Sequence, residues 1–422
     1  LANKKIEKRK PYVSKQQQTK WERQKKRQRI VGIAGIAIIA TAIILVIVGW
    51  LVGSFFPLNE TVITVNDRSF SMKYYVDSLK MRAGENPSKF TVQYIADSVI
   101  KDIEQNELIR LGAAKLGFTV SDKEVVAELK KAKQPLDAVH KDAMRTILLA
   151  RKMLAEYFDP QVPRTAEQRH LMAMLLESRT QAQDVRYKLE QGINFSEQAE
   201  IYSLDELTKN ARGDLGWHPK EIFTKYMGYE VPGEWAFNAQ VNELSQPLWD
   251  GNVTKKLGYW LVKVMQRGTD TEEVQVKAML LGSEEEALKV RERLLAGEDF
   301  STVAVEVSQV QGVKESKGDH VVLPGEMNTA VDDFVFNTEI PLGTLSNPLK
   351  DETASTKGGF WLVKVLAQEA DRQISEEDRN TLKASALQKW IEELWADTSY
   401  TVDHSKLDTV KINQAIALVS KK

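Results

Sequence analysis

The chain has 422 residues, 42% of them hydrophobic, which is long enough for two to four domains and makes a single core improbable. It contains no cysteine, which excludes disulfides, thiolate nucleophiles, Cys-ligated metals and a lipid-anchored cysteine. The net charge of −1 hides a strong asymmetry: residues 1–29 carry twelve Lys/Arg against Glu7 and Glu22, a net +10, and leave −11 for the remainder.

Directly after this basic run, Ile30 to Phe56 contains no charged residue. A helix of about 20 residues crosses a hydrocarbon core of about 30 Å, so residues 30–56 are predicted to span a membrane with some tilt. Lys and Arg on the N-terminal flank place the tail 1–29 in the cytoplasm, Trp50 sits where an interfacial aromatic anchors the far end, and residues 57–422 are expected outside. A cleaved signal peptide has a shorter apolar stretch and a small-residue cleavage site, and neither is evident here. Topology also accounts for the basic tail without a nucleic-acid partner.

Residues 57–160 open with an alternating strand and an Asn-Asp turn, "TVITVNDRSFS", and then read as helices. Ser121 and Glu124 form an S-x-x-E capping box before "VVAELKKA", and "HKDAMRTILLARKMLAEYF" has apolar residues at helical spacing. Pro160 and Pro163 mark a linker. At the far end, within 374–422, "SEEDRNTLKASALQKWIEELWAD" is a second amphipathic helix followed by a short strand, "SYTVD".

Between them lies a duplication. "LEQGINFSEQAEIYS" at 189–203 matches "LLAGEDFSTVAVEVS" at 294–308, and Gly213-Asp214 matches Gly318-Asp319 at the same offset. Phe237 matches Phe336, Leu244-Ser245 matches Leu345-Ser346, and "GYWLVKV" at 258–264 returns as "GFWLVKV" at 359–365. A period near 100 residues is a duplicated domain, far longer than a solenoid repeat. Each copy reads as strand, helix, glycine-rich turn, short helices, strand and closing strand, an α+β pattern. In the closing strand the period of two sends Trp260, Val262 and Val264 to one face and Tyr259, Leu261 and Lys263 to the other.

The order G-x-x-F-(S), S-x-D, R-G-D-L-G, A-F, L-S-x-P and G-Y/F-x-L-V-K-V resembles the parvulin-type peptidyl-prolyl isomerase domain, over 164–268 and, in degenerate form, 272–369. With the predicted anchor, the N-terminal helices and the C-terminal helix, the whole is similar to the PpiD, SurA and PrsA foldases of bacterial envelopes. The resemblance implies a helical chaperone-like module at 57–160, completed by residues 374–422, and two tandem parvulin-like domains. It also implies binding of unfolded or newly exported polypeptides; docking through the predicted span, residues 30–56, on a translocon or another membrane complex is a further reading of the same chain. Neither cofactor nor metal is called for: the five histidines are scattered, with none at metal-ligand spacing from another, and no phosphate-binding glycine loop is present.

Family chemistry is rotation about an X-Pro bond, whose barrier of about 18–20 kcal/mol makes spontaneous exchange slow. It requires only a pocket that favours the twisted amide over the planar ones. Carried over by resemblance, Asp205 and His170 are the candidate catalytic residues, while Met227, Phe237, Trp260, Met327, Phe336 and Trp361 are the candidate substrate-binding residues. Copy two has Val310 at the Asp205 position, and Trp260 and Trp361 replace the closing-strand histidine in both copies. His170 lies three positions from Ala173, where the family spacing expects the first-strand histidine, and an odd step on a strand points to the opposite face. Two readings therefore stand side by side: a prolyl isomerase in copy one, and an inactive holdase or accessory subunit of a membrane complex.

Overall fold

In a computed structural model the described residues are 56–268 and 273–420, so the basic tail and the predicted span, apart from its last residue, lie outside them. Among the described residues no helix is long and apolar enough to cross a membrane. The chain divides into two units: one runs up to Asp159 and resumes at Ser385, and the other runs from Pro160 to Ala384.

After a helical turn at Phe56–Asn59, the first unit forms the antiparallel hairpin of β1 (Thr61–Val65) and β2 (Arg68–Ser71). Asn66 takes φ 49° in the two-residue turn, a left-handed conformation that Asn tolerates. Four helices follow: α1 (Met72–Ala83), α2 (Lys89–Lys115), α3 (Asp122–Lys131) and α4 (Ala138–Met153). Ser71, Ser88, Ser121 and Asp137 cap them with side-chain oxygens, and Ser121 with Glu124 makes the reciprocal box expected from the sequence. Tyr75, Leu79, Val92, Ile103 and Leu108 fill the common core. At its edge Arg68 bridges Glu107 at 2.7 Å and Asp142 at 2.6 Å, and with Arg110 on Glu107 and Arg145 on Asp142 these buried carboxylates are matched in charge.

The second unit holds β3 (Thr165–Leu176), α5 (Arg179–Glu190), α6 (Phe195–Tyr202), α7 (Glu206–Asn210), β4 (Asp214–Pro219), α8 (Glu230–Ala236) and β5 (Leu248–Arg267). The second copy contributes β6 (Val274–Leu281), α9 (Glu284–Leu295), α10 (Phe300–Val307), β7 (Asp319–Val322), α11 (Thr329–Val335) and β8 (Leu349–Gln373). All thirteen elements share one antiparallel sheet of six strands, in the order β4-β3-β8-β5-β6-β7, and the helices that cover it.

That order differs from the arrangement in which each copy closes on its own last strand. The first strand of copy one, β3, pairs with the closing strand of copy two: Leu171 faces Val365, Ala173 faces Val363 and Leu175 faces Trp361. Reciprocally, the closing strand of copy one pairs with β6, setting Trp260 opposite Leu280 and Val262 opposite Ala278. The segments 251–257 and 352–358 do not turn back as hairpins. They run on into single strands of 20 and 25 residues that cross each other, with Leu248 opposite Trp361 and Trp260 opposite Leu349. Because the two closing strands are nearly identical, each satisfies the other's core as well as its own. The leading glycine of each is required by close approach: a Cβ on Gly258 would lie 2.6 Å from Leu280 Cδ1, and one on Gly359 would lie 2.8 Å from Leu175 Cδ1.

The period of two in these strands holds. Trp260, Val262 and Val264 pack on one face with Val276 and Val335, while Tyr259 and Leu261 pack on the other with Val290 and Val303. After β8 come α12 (Glu376–Ala396), β9 (Val402–Asp403) and α13 (Thr409–Val419). In the first unit β9 pairs with β1, and Ile391, Leu394, Leu407, Ile416 and Val419 join the core of α1 and α2. Helix α13 is not anticipated by the sequence reading, although Asp408 caps it in the ordinary way.

Candidate functional site

The strand exchange assembles each parvulin-like cradle from both copies. In the first cradle, Met227, Phe237 and Tyr229 of copy one pack with Trp361 of copy two. Asp205 enters as the N-cap of α7, where its Oδ1 accepts from the backbone N–H of Thr208 at 2.8 Å and from the Tyr229 hydroxyl at 3.0 Å. Burial and the neighbouring Asp205 carboxylate push the Tyr229 phenol well above its usual range, so it stays a proton donor. Trp361 is 1% exposed, meets Tyr229 edge-on with ring centroids 5.4 Å apart, and donates its indole N–H to Asp250 Oδ2 at 3.1 Å. The position that resemblance assigns to a histidine is thus filled by a buried indole with a fixed partner.

His170 is not brought to this cradle. Its neighbours Arg169 and Leu171 face the cradle side, and Arg169 stacks over Phe237 at 5.2 Å while donating to Ala236 O and Ala239 O. His170 points away, with Nε2 2.7 Å from Asp214 Oδ1 and its ring 5.7 Å from Trp217. The catalytic pair drawn from resemblance, Asp205 with His170, is therefore divided between two faces of the sheet.

In the second cradle Met327 and Phe336 of copy two pack with Trp260 of copy one. Val310, at the Asp205 position, packs in a different cluster and brings no polar group. Trp260 donates its indole N–H to Asp351 Oδ2 at 2.9 Å, repeating the Trp361–Asp250 bond. Opposite Val276 on β7, His320 has a buried Nε2 with no hydrogen-bond partner among the described residues, and burial lowers its pKa. Asp250 and Asp351 also accept the backbone amides of Asn252 and Thr353, each at 2.9 Å.

Burial opposes ionisation of Asp351, but the bonds from Thr353 and Trp260 outweigh it and hold the carboxyl at about 2. A folded-state pKa below the unfolded value of about 3.9 gives stability that is present at neutral pH and is lost as pH falls from about 4 through about 2. Denaturant midpoints measured between pH 5 and 2 are expected to fall more steeply for the native chain than for Asp351→Asn. Parallel curves for the two proteins would show that the Trp260–Asp351 bond carries no such linkage.

Arg169, Tyr229, Asp250, Asp351 and His320 were not singled out by the sequence reading. Asp250 and Asp351 were visible in principle, since they stand at the same 101-residue offset as the closing strands, and His320 aligns over Leu215 in the Gly-Asp match. Arg169 and Tyr229 carry no such signal.

A family model described as the PPIC-type PPIASE domain matches residues 170–266 and again 271–367, and a SurA-like N-terminal domain matches residues 20–172. A foldase protein PrsA of Caldanaerobacter subterraneus subsp. tengcongensis is 29% identical over 187 residues, which cover 41% of this chain and 57% of that protein. A parvulin-like PPIase of Rickettsia prowazekii is 28% identical over 205 residues, 46% of this chain and 68% of that protein. The crystal structure of peptidylprolyl isomerase PrsA from Bacillus cereus is 12% identical, covering 86% of this chain and all of that one, with a TM-score of 0.30. Two matches to one domain model, in the register of the repeat, show that residues 170–266 and 271–367 are two PPIC-type peptidyl-prolyl isomerase domains, behind a SurA-like N-terminal domain.

Proposed function

We propose that this protein is a membrane-anchored foldase that acts chiefly by binding unfolded, newly exported polypeptides. In this reading residues 30–56 span the membrane, the basic tail is cytoplasmic, and residues 57–422 work on the far side. The charge asymmetry and the uncharged run from Ile30 to Phe56 support the topology. The observation that carries the binding role is the closure of both cradles by tryptophans bonded to aspartates, with His170 turned away to Asp214. The helical unit adds exposed apolar surface: Phe90 and Tyr94, one turn apart on α2, are 79% and 82% exposed. A groove of about 240 Å³ beside it is lined by Met81, Val99, Val139 and Ile147. A translocon or another membrane complex, reached through the span, is the partner that would supply such chains.

A weak isomerase in copy one is the second reading, favoured by Asp205 held at Tyr229 beside Met227 and Phe237. Exchange NMR on a short X-Pro peptide, run with the full chain and with Asp205→Ala, separates the two, alongside light scattering from an aggregating client. Under the binding reading, scattering is suppressed while cis/trans exchange stays within about twofold of its spontaneous tens to hundreds of seconds. Acceleration that disappears in Asp205→Ala would make copy one a working isomerase.

A further inference from the structure

Helix α13 closes the core of the helical unit with one side and leaves the other side bare. Inward, Ala415, Ile416 and Val419 are buried in the core shared with α1 and α2. Outward, Val410, Asn413, Gln414, Ala417 and Leu418 form one exposed stripe, since positions three and four apart are neighbours on a helix. Val410 is 65% exposed and Leu418 43%. None of these five residues is charged, in a chain with 28% charged residues, whereas the solvent face of a surface helix ordinarily carries charge. The helix has one charged residue, Lys411, at the border of the stripe. Its ammonium donates to Glu60 Oε1 at 2.8 Å and to Lys406 O at 2.7 Å, so it is engaged within the unit.

Glu60 fixes where this stripe lies. Its carboxylate holds Lys411, its backbone carbonyl accepts from Met72 N at 2.8 Å at the start of α1, and Leu58, two residues earlier, packs on the core. The uncharged run read as a span ends at Phe56, and only Pro57, Leu58 and Asn59 separate it from Glu60. Four steps along the chain reach at most about 14 Å when extended, and the helical turn at Phe56–Asn59 shortens this toward about 6 Å. No linker therefore lifts the unit off the end of the run, and Val410, next to Lys411, sits at that root. Phe90, by contrast, follows the far end of α1, a helix of 12 residues and about 18 Å.

We infer that the outward stripe of α13 lies in the lipid interface beside the root of the span, as a second contact of this chain with the membrane. The inference rests on the reading of residues 30–56 as a span. A helix lying in the interface seats its apolar side about 5–10 Å into the boundary between headgroups and acyl chains. Val410, Ala417 and Leu418 supply that side, and Asn413 and Gln414 meet headgroups without bringing a charge. So short a stripe would bind a bilayer weakly on its own. The tether selects the occupant: it keeps the stripe at a high effective concentration of lipid, so a small apolar area suffices. Seated this way, the unit turns the exposed Phe90 and Tyr94 away from the membrane.

Because the chain has no cysteine, the single substitutions Val410→Cys, Leu418→Cys and Phe90→Cys can each carry one NBD fluorophore. The full chain is reconstituted in phosphatidylcholine nanodiscs containing nitroxide-labelled lipid, and quenching is read at each site. The probes at Val410 and Leu418 are expected to be quenched at least about threefold more than the one at Phe90, as for a helix seated at the acyl boundary. Adding Val410→Glu/Ala417→Glu is expected to bring the Leu418 probe down to the Phe90 level, since charge opposes entry into lipid. Far-UV circular dichroism stays unchanged because both side chains point out of the core. Equal quenching at all three sites, with the chain retained in the nanodisc, would overturn the inference and leave the anchor standing. A blue-shifted but unquenched Val410 probe would overturn it as well, showing a second copy of the chain on the stripe. A chain that elutes free of the nanodiscs would reject the span, and this contact with it.

Discussion

Replacing Trp361 by alanine is expected to cost about 3–5 kcal/mol, and to loosen the half of the sheet built from copy one although the residue belongs to copy two. The side chain is 1% exposed, packs with Tyr229 and Val363, and spends its indole N–H on Asp250, itself buried. Truncation leaves a cavity and removes one of Asp250's donors, two of the mechanisms by which single substitutions become severe. Hydrogen exchange followed by mass spectrometry reads the location: protection is expected to drop in β3, β4 and α8 before β6, β7 or α11. Trp260→Ala is the mirror experiment, with a smaller effect because that indole is only half buried, and its loss of protection is expected in β6 and α11. If each substitution loosened its own copy instead, the strands would not be exchanged.

Much of the fold can be read in the sequence, and the part that cannot has a definite cause. The Asn66-Asp67 turn, the Ser121 capping box and the alternation in the closing strands are local signals, and local geometry obeys them. Pairing of the closing strands is not local. "GYWLVKV" and "GFWLVKV" present the same pattern to any partner, so composition cannot say which first strand each joins. That choice belongs to segments 251–257 and 352–358, whose Asp250 and Asp351 accept amides two and three residues on. Such Asx bonds are as compatible with an irregular stretch of long strand as with a tight turn. The cradle shows the same division. Strand parity sends His170 away from Ala173's face, and the structure keeps it there, whereas the link between Asp205 and Tyr229 spans 24 residues with no periodic signal between them. Resemblance named Met227 and Phe237, and Met327 and Phe336, without indicating that the tryptophan packed with each pair comes from the other copy.

Ending the chain after Asp397 is expected to unfold the helical unit while leaving the exchanged sheet intact. The missing residues include Leu407, Ile416 and Val419, each at most 7% exposed in the core of α1 and α2. At about 1.5–3 kcal/mol for each buried aliphatic side chain, these three alone approach the whole stability of an ordinary domain, about 5–15 kcal/mol. Two further losses act in the same direction. The edge of β1 loses its pairing with β9, and Glu104, 1% exposed and pushed toward its neutral form by burial, loses the His404 ring whose Nδ1 lies 2.6 Å from it. Limited proteolysis should then cut first between residues 57 and 159, while a fragment covering 160–384 persists and melts at its native temperature. Ile416→Asp is the single-residue counterpart: it keeps the segment but buries a carboxylate, and it should reproduce the proteolytic pattern of the truncation. A truncated chain as resistant as the native one would mean that α1 to α4 hold together without the C-terminal segment, leaving residues 398–422 as an accessory layer rather than part of the core.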